Sequence, residues 1–309
     1  MYKSTCYHGI IKYENTVRSI KMKIGIVGLG VIGGSFAEAL QTAGYQDIYG
    51  IDNNQETLDT AVNMGIIKEG FLTGEGILPE VDLTIMALYP KTAVKFIQAN
   101  RDFFKDGSIL MDTTGIKETF MAEMATVLPE NIEVVYTHPM AGRENRGIAY
   151  AQGSVFQGAN FLVTPTEANH EDTLKKIEAL ATEIGFGKIN RVSASFHDQM
   201  ISFTSQLPHA IAISLMNSDH EKRETGKFTG DSYPELTRIA KINEDLWSEL
   251  FIDNKTYLLQ SIQDFEVQLN LIKDAIKKDD REQLKDLFRH STSNRLKLEA
   301  EMDERKRKK

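Results

Sequence analysis

Three glycines stand in G-x-G-x-x-G spacing in Gly28-Leu29-Gly30-Val31-Ile32-Gly33-Gly34-Ser35. Each has a distinct use. Gly28 permits a tight turn, Gly30 lets a pyrophosphate approach the backbone, and Gly33 lets a helix pack close to the preceding strand. A helix beginning here offers unpaired N–H groups and the positive end of its dipole to phosphate. Asp52 closes the next apolar run, where a carboxylate accepts hydrogen bonds from ribose hydroxyls and repels a 2′-phosphate. The pattern reads as a dinucleotide site favouring NAD over NADP. The competing reading is a glycine-rich turn beside a surface aspartate, and the strand–turn–helix context argues against it.

Further candidates lie at the ends of apolar runs facing the same crevice. Leu88 and Thr113 join Leu29, Val31 and Ile32 as cofactor-lining candidates. Asp112-Thr113-Thr114-Gly115 offers hydroxyls and backbone N–H groups. Thr137-His138-Pro139 follows the run Val134 to Tyr136, so His138 is placed to exchange a proton with a substrate hydroxyl. A hydrogen-bonded structural histidine is the plainer alternative. Later in the chain, Ser205-Gln-Leu-Pro-His209 and Thr237-Arg-Ile-Ala-Lys241 supply cations. Arg238 could hold a carboxylate by a two-point bond or form a surface ion pair.

These residues need elements to position them. Ile24 to Val27 reads as a strand, Phe36 to Ala43 as a helix stopped by Gly44, Asp47 to Ile51 as a strand, and Gln55 to Met64 as a helix. Strands are predicted at Val81 to Leu88, Ser108 to Met111, Ile132 to Tyr136 and Ala159 to Val163, with helices at Lys91 to Asn100 and Lys117 to Leu128. This alternation implies a parallel sheet covered on both faces. From about Ser193 the text becomes helical. Ser195-x-x-Asp198 reads as a capping box, Pro208 should kink the following run, and apolar positions from Phe251 to Ile276 describe one long amphipathic helix. Another helix follows from about Arg281.

The expected architecture is α/β, a Rossmann-type, doubly wound and mostly parallel sheet followed by an all-helical dimerisation domain. Residues 22–190 form the cofactor domain and 191–309 the helical substrate and dimerisation domain. Residues 1–21 read as an N-terminal extension, poorly ordered, before a natural first strand opening at Met22. Exposed helical stripes predict a homodimer.

Composition narrows the function. The chain has 309 residues, 36 Lys and Arg against 44 Asp and Glu, and a net charge of −8, which argues against nucleic-acid wrapping. The basic tail Arg305 to Lys309 follows acidic residues and reads as a solvated helix end. One cysteine, Cys6, allows no intrachain disulfide and no multi-cysteine metal site, which fits a reducing cytoplasmic setting. No apolar run reaches the roughly 20 residues of a membrane span.

Taken together, Gly28 to Ser35, Thr137-His-Pro-Met-Ala-Gly-Arg-Glu144, Phe196-His-Asp198, Ser205-Gln-Leu-Pro-His209 and Leu236-Thr-Arg-Ile-Ala-Lys241 resemble the prephenate dehydrogenase family in order and spacing, from about Met22 to about Ile276. The resemblance implies NAD-dependent oxidative decarboxylation of prephenate to 4-hydroxyphenylpyruvate in tyrosine biosynthesis. It implies that His138 bonds the ring hydroxyl and takes its proton, that Arg238 binds a substrate carboxylate, and that His209 and Glu144 line the same pocket. The family often has Gly-Ser where this chain has Thr114-Gly115, so Thr114 is expected to supply the missing hydroxyl. The His often preceding Leu-Pro-His is Gln206 here. Neither a regulatory domain nor a fused chorismate mutase segment is expected, and tyrosine, if inhibitory, should compete at the active site.

Three rivals stay open at this point. Arogenate dehydrogenase differs by an amine in place of the substrate keto group. A β-hydroxyacid dehydrogenase would use a lysine, for which Lys241 could stand. An NAD-sensing regulator would bind cofactor without turnover.

Overall fold

The computed structural model describes residues 22–142, 145–220 and 223–307, with side chains to 302. The expected 1–21 extension, Glu144, Lys308 and Lys309 lie outside the described residues. Among the described residues, eight strands form one sheet: β1 (Ile24–Val27), β2 (Ile48–Ile51), β3 (Glu69–Phe71), β4 (Leu83–Met86), β5 (Ile109–Asp112), β6 (Glu133–Pro139), β7 (Asn160–Thr164) and β8 (Lys188–Arg191). Their order is β3-β2-β1-β4-β5-β6-β7-β8. The direction of winding reverses between β1 and β4, which is where open α/β sheets place a crevice for ligands.

The first six strands are parallel, and β7 runs antiparallel to β6. Among the described residues, no long helix separates those two strands. Two 3-10 turns, Ile148–Tyr150 and Gly153–Phe156, fill the connection, and the chain returns without the crossover that parallel pairing requires. Strand β6 therefore changes partner along its length. Leu110 faces Val134 in a parallel ladder, whereas His138 faces Leu162 in an antiparallel one. This extends β6 past the expected end at Tyr136, so His138 lies within the strand.

Helices α1 (Val31–Thr42), α2 (Gln55–Asn63), α3 (Pro90–Asn100), α4 (Glu118–Met124) and α5 (Glu171–Glu183) cover the sheet. Helix α1 starts directly after Gly30, five residues before the expected Phe36, because Gly33 and Gly34 are its inward residues. A Cβ at Gly33 would stand 1.9 Å from the Gly28 carbonyl oxygen. Alternate strand residues feed two cores. One holds Ile26, Phe36, Leu40, Phe156 and Phe161; the other holds Val27, Leu110, Phe120, Tyr136 and Leu250. Burying a side chain such as Phe161 contributes about 2–3 kcal/mol.

The helical half comprises α6 (Ala194–Ile201), a π-helical turn (Ser202–Gln206), α7 (Leu207–Asn217), α8 (Ser232–Thr237), α9 (Glu244–Asp253), α10 (Lys255–Lys277) and α11 (Arg281–Arg307). Two expectations need correction. The cap of α6 is Ser193, whose hydroxyl accepts from Phe196 N, and Ser195 with Asp198 forms no capping box. The predicted long helix is two, broken at Asn254, which is 4% exposed and donates through Nδ2 to Asp198 O and Gln206 Oε1. A buried amide with two fixed acceptors there outweighs helical continuity. Leu259, Val267 and Ile276 on α10 and Phe288 and Leu296 on α11 remain exposed.

Candidate active site

A row of hydrogen-bonded polar side chains is built where β5 and β6 end against α6. His138 Nδ1 lies 2.9 Å from His197 Nε2, and His197 Nδ1 lies 2.7 Å from Asp198 Oδ1. Asp198 is fixed in turn: its Oδ1 accepts from Lys117 N and its Oδ2 from Glu118 N, both at 2.8 Å. The carboxylate thus satisfies the orphan N–H groups at the start of α4. His138 turns Nε2 toward Gly115, 3.7 Å from where a Cβ there would stand, beside Leu250.

Below this row lies a buried cation. Lys117 is fully buried, and its Nζ donates to Asp112 Oδ2 at 2.7 Å and to Thr114 O at 2.7 Å. A buried ammonium is tolerated when paired and hydrogen-bonded throughout. Burial pulls Lys117 below the ordinary lysine range, opposed by the Asp112 carboxylate. Burial also holds His138 well below the usual histidine value, with His197 and Lys117 adding to the effect. His197 is lowered by burial and by Lys117, against the pull of Asp198. Both rings are therefore neutral near pH 7.

Thr114 does not take the role expected of it. Its hydroxyl is buried, donates to Ile116 O at 3.1 Å and accepts from Lys117 Nζ at 3.3 Å. Turned toward the lysine, it stabilises the 112–117 turn and offers nothing toward His138. Thr113 donates to Met86 O at 2.9 Å, tying β5 to β4.

On the helical side, His209 Nδ1 donates to Ser205 O at 2.8 Å, and its ring stacks on Trp247 with centroids 3.7 Å apart. Trp247 and Leu250 are three apart on α9 and share a face. Through them α9 connects the surroundings of His209 to those of Gly115 and His138. Arg238 opens a 3-10 turn, Arg238–Ala240, that packs on α7, and it is exposed. Lys241 is exposed too. The start of α9 also bonds to the cofactor half: Asn243 Nδ2 donates to Tyr89 OH at 2.5 Å, and Glu244 pairs with Arg146 at 2.8 Å.

The glycine loop fits a dinucleotide. Gly28 has φ of +86°, and a Cβ on it would meet Ala87 O at 2.7 Å. Nothing lies within 4 Å of where a Cβ at Gly30 would stand, so the loop is open at that point. Gly30 caps α1 with no side-chain bond, so the first N–H groups of α1, from Val31 and Ile32 to Gly33, are available to phosphate. Asp52 Oδ2 accepts from Leu29 N at 2.8 Å and Oδ1 from Asn54 N at 3.0 Å, fixing the carboxylate at the loop. The Leu29 side chain is buried, so only its backbone can serve the site. Leu88 is half-buried and touches Gly28.

Reading the sequence left Lys117 without a role, although Asp112 and Lys117 flank the Thr-Thr-Gly turn five residues apart. It gave Asp198 only a capping role at its own helix and left His197 without one, although two polar residues next to an apolar run are a signal. Trp247 gave no signal beyond its size.

The family described as prephenate dehydrogenase, nucleotide-binding domain, matches residues 36–190, and prephenate dehydrogenase, dimerization domain, matches residues 193–290. A cyclohexadienyl dehydrogenase of Zymomonas mobilis is 29% identical over 290 residues, covering 91% of this chain and 97% of that protein. A prephenate dehydrogenase of Bacillus subtilis is 25% identical over 278 residues, covering 87% of this chain and 74% of that one. The crystal structure of prephenate dehydrogenase from Aquifex aeolicus with hydroxyphenyl propionate and NAD+ superposes with a TM-score of 0.82 at 27% identity, covering 91% of this chain and all of that one.

Proposed function

The chain belongs to the prephenate dehydrogenase family, and on that premise we propose that it oxidatively decarboxylates prephenate to 4-hydroxyphenylpyruvate with NAD. It is an NAD-dependent oxidoreductase. We further assign Gly28, Gly30, Gly33, Asp52, Leu88 and Thr113 to the cofactor side, His138 to proton removal, and His209, Glu144 and Arg238 to the substrate. The domain boundary falls at 190/191 on this reading.

The observation that carries it is a half-buried, neutral imidazole at the crest of the sheet with its Nδ1 edge engaged by His197. Such a group accepts a proton through Nε2 at neutral pH. NAD, when bound, accepts the hydride from the substrate's ring carbinol. His138 Nε2 takes the hydroxyl proton, so the O–H bond breaks as the N–H bond forms and the carbon becomes a carbonyl. That carbonyl, conjugated with the ring, draws in the electron pair of the bond to the ring carboxylate. Carbon dioxide leaves, the ring becomes aromatic, and the oxygen that received the electron pair takes the proton back from His138 to give the phenol. Arg238 binds a carboxylate, His209 is held by Ser205 and Trp247, and α9 shields the ring from water.

The chain acts as a homodimer on this reading, supported by the exposed apolar residues of α10 and α11 and by the dimerization-domain match. Among the described residues no helix is long and apolar enough to cross a membrane. A single cysteine fits the cytoplasm. Tyrosine, if it inhibits, competes for the product-shaped part of the site. NADH formation measured with prephenate and with arogenate, each with and without tyrosine, tests the reading. Faster turnover of prephenate is expected. Faster turnover of arogenate reassigns the substrate within the family, and no NADH from either ends the proposal.

A further inference from the structure

The motif Phe196-His197-Asp198 lies outside the steps above, yet its two polar residues are among the most buried in the molecule: His197 is 1% and Asp198 2% exposed. We propose that Asp198 and His197 are positioning residues that fix His138 as the tautomer protonated at Nδ1, so that Nε2 presents its lone pair to the substrate hydroxyl. This rests on the assignment of His138 as proton acceptor.

The argument is one of donors and acceptors. Asp198 Oδ1 and Oδ2 accept backbone bonds from Lys117 and Glu118. With both oxygens already taking backbone N–H bonds, this carboxylate serves as an acceptor, so His197 must donate its Nδ1 proton to it across 2.7 Å. A neutral imidazole protonated at Nδ1 has only a lone pair at Nε2. His138 must then donate its own Nδ1 proton across 2.9 Å, which leaves its Nε2 as the acceptor. Each ring settles the state of the next, and the row starts from a backbone cap at the head of α4. The groups facing the two rings are Asp198 on α6, Lys117 before α4 and Asp112 at the end of β5. Lys117 discourages a second proton on either ring, and Asp112 holds Lys117 in place. When His138 takes the substrate proton, the partial positive charge reaches His197 and Asp198 through hydrogen bonds already made, so little rearrangement is needed.

The test uses the full-length protein with NAD and prephenate. Long-range proton–nitrogen NMR of histidine-labelled protein should find His138 protonated at Nδ1. A proton on Nε2 overturns the proposal without any variant. His197→Leu, which removes both ring nitrogens, should lower kcat by about 10²-fold or more, with both Michaelis constants within about threefold. His197→Gln, which keeps an acceptor for His138 Nδ1, should recover about tenfold of that loss. An unchanged kcat in His197→Leu overturns the proposal. So does a joint loss in kcat and both Michaelis constants with no recovery in His197→Gln, which assigns His197 to packing alone. His138→Asn separates the two readings. Activity retained there removes the proton-acceptor assignment itself, whereas its loss alongside a fully active His197→Leu removes only the relay.

Discussion

The glycine loop and the His138 row sit at neighbouring strand ends of one sheet, yet they reach precision by opposite means. The loop works by omission: Gly28, Gly30 and Gly33 leave room for backbone and ligand, and a Cβ at Gly33 would overlap the Gly28 carbonyl. The row works by saturation: Lys117, Asp112, Asp198 and His197 fill nearly every donor and acceptor with one another. The loop draws its parts from six consecutive residues. The row gathers groups from β5, β6, the start of α4 and α6. A short segment can specify a phosphate cradle, because backbone N–H groups come with every residue. A neutral, oriented imidazole needs charge and burial from elsewhere in the chain.

Breaking the row at its tip should give the largest effect. His138→Asn should lower kcat by roughly 10²–10⁴-fold while NAD affinity, measured by fluorescence titration, stays near normal; a matching loss of NAD affinity would merge the two regions that the comparison separates. Next in size, Lys117→Met leaves Asp112 buried without its cation and should cost about 3–5 kcal/mol of stability in urea unfolding. A loss below about 1 kcal/mol would show that the turn at Thr114 holds without it. Arg238→Gln should raise the Michaelis constant for prephenate by about 30-fold and leave that for NAD unchanged. An unchanged value for both would make Arg238 a surface residue.

The smallest effect concerns acid. His138 and His197 titrate below the unfolded histidine value of about 6.5 in the fold. Their neutral forms therefore favour the folded state fully above pH 6.5, and that advantage is lost as pH falls below it, by up to about 1.4 kcal/mol per unit for each ring. Unfolding midpoints should be flat above pH 7 and decline below 6.5, and His197→Gln should shallow the decline. The acid limb of kcat should likewise lie below pH 6.5.

Local chemistry in the sequence was enough for the strand–loop–helix around Gly28 and for Asp52, because glycine spacing and apolar runs act over a few residues. It also singled out His138. It missed β3 and β8, which are short edge strands with polar text, and α5, although Leu174, Ile177, Leu180 and Ala181 recur at helical spacing and are buried. It joined α9 to α10, since nothing local reveals that Asn254 meets Asp198 and Gln206 from a distant helix.

What the sequence determined alone was the strand–glycine loop–helix with Asp52 and the two-part architecture, and it singled out His138 as the candidate proton acceptor, all from spacing along the chain. The tertiary structure decided which edge of the His138 ring meets His197, that the Thr114 hydroxyl bonds to Ile116 and Lys117, and that Asp198 caps α4 instead of its own helix. These follow from donors and acceptors that become neighbours only after the sheet and helices pack, when burial forces each polar group to take whatever partner the fold supplies.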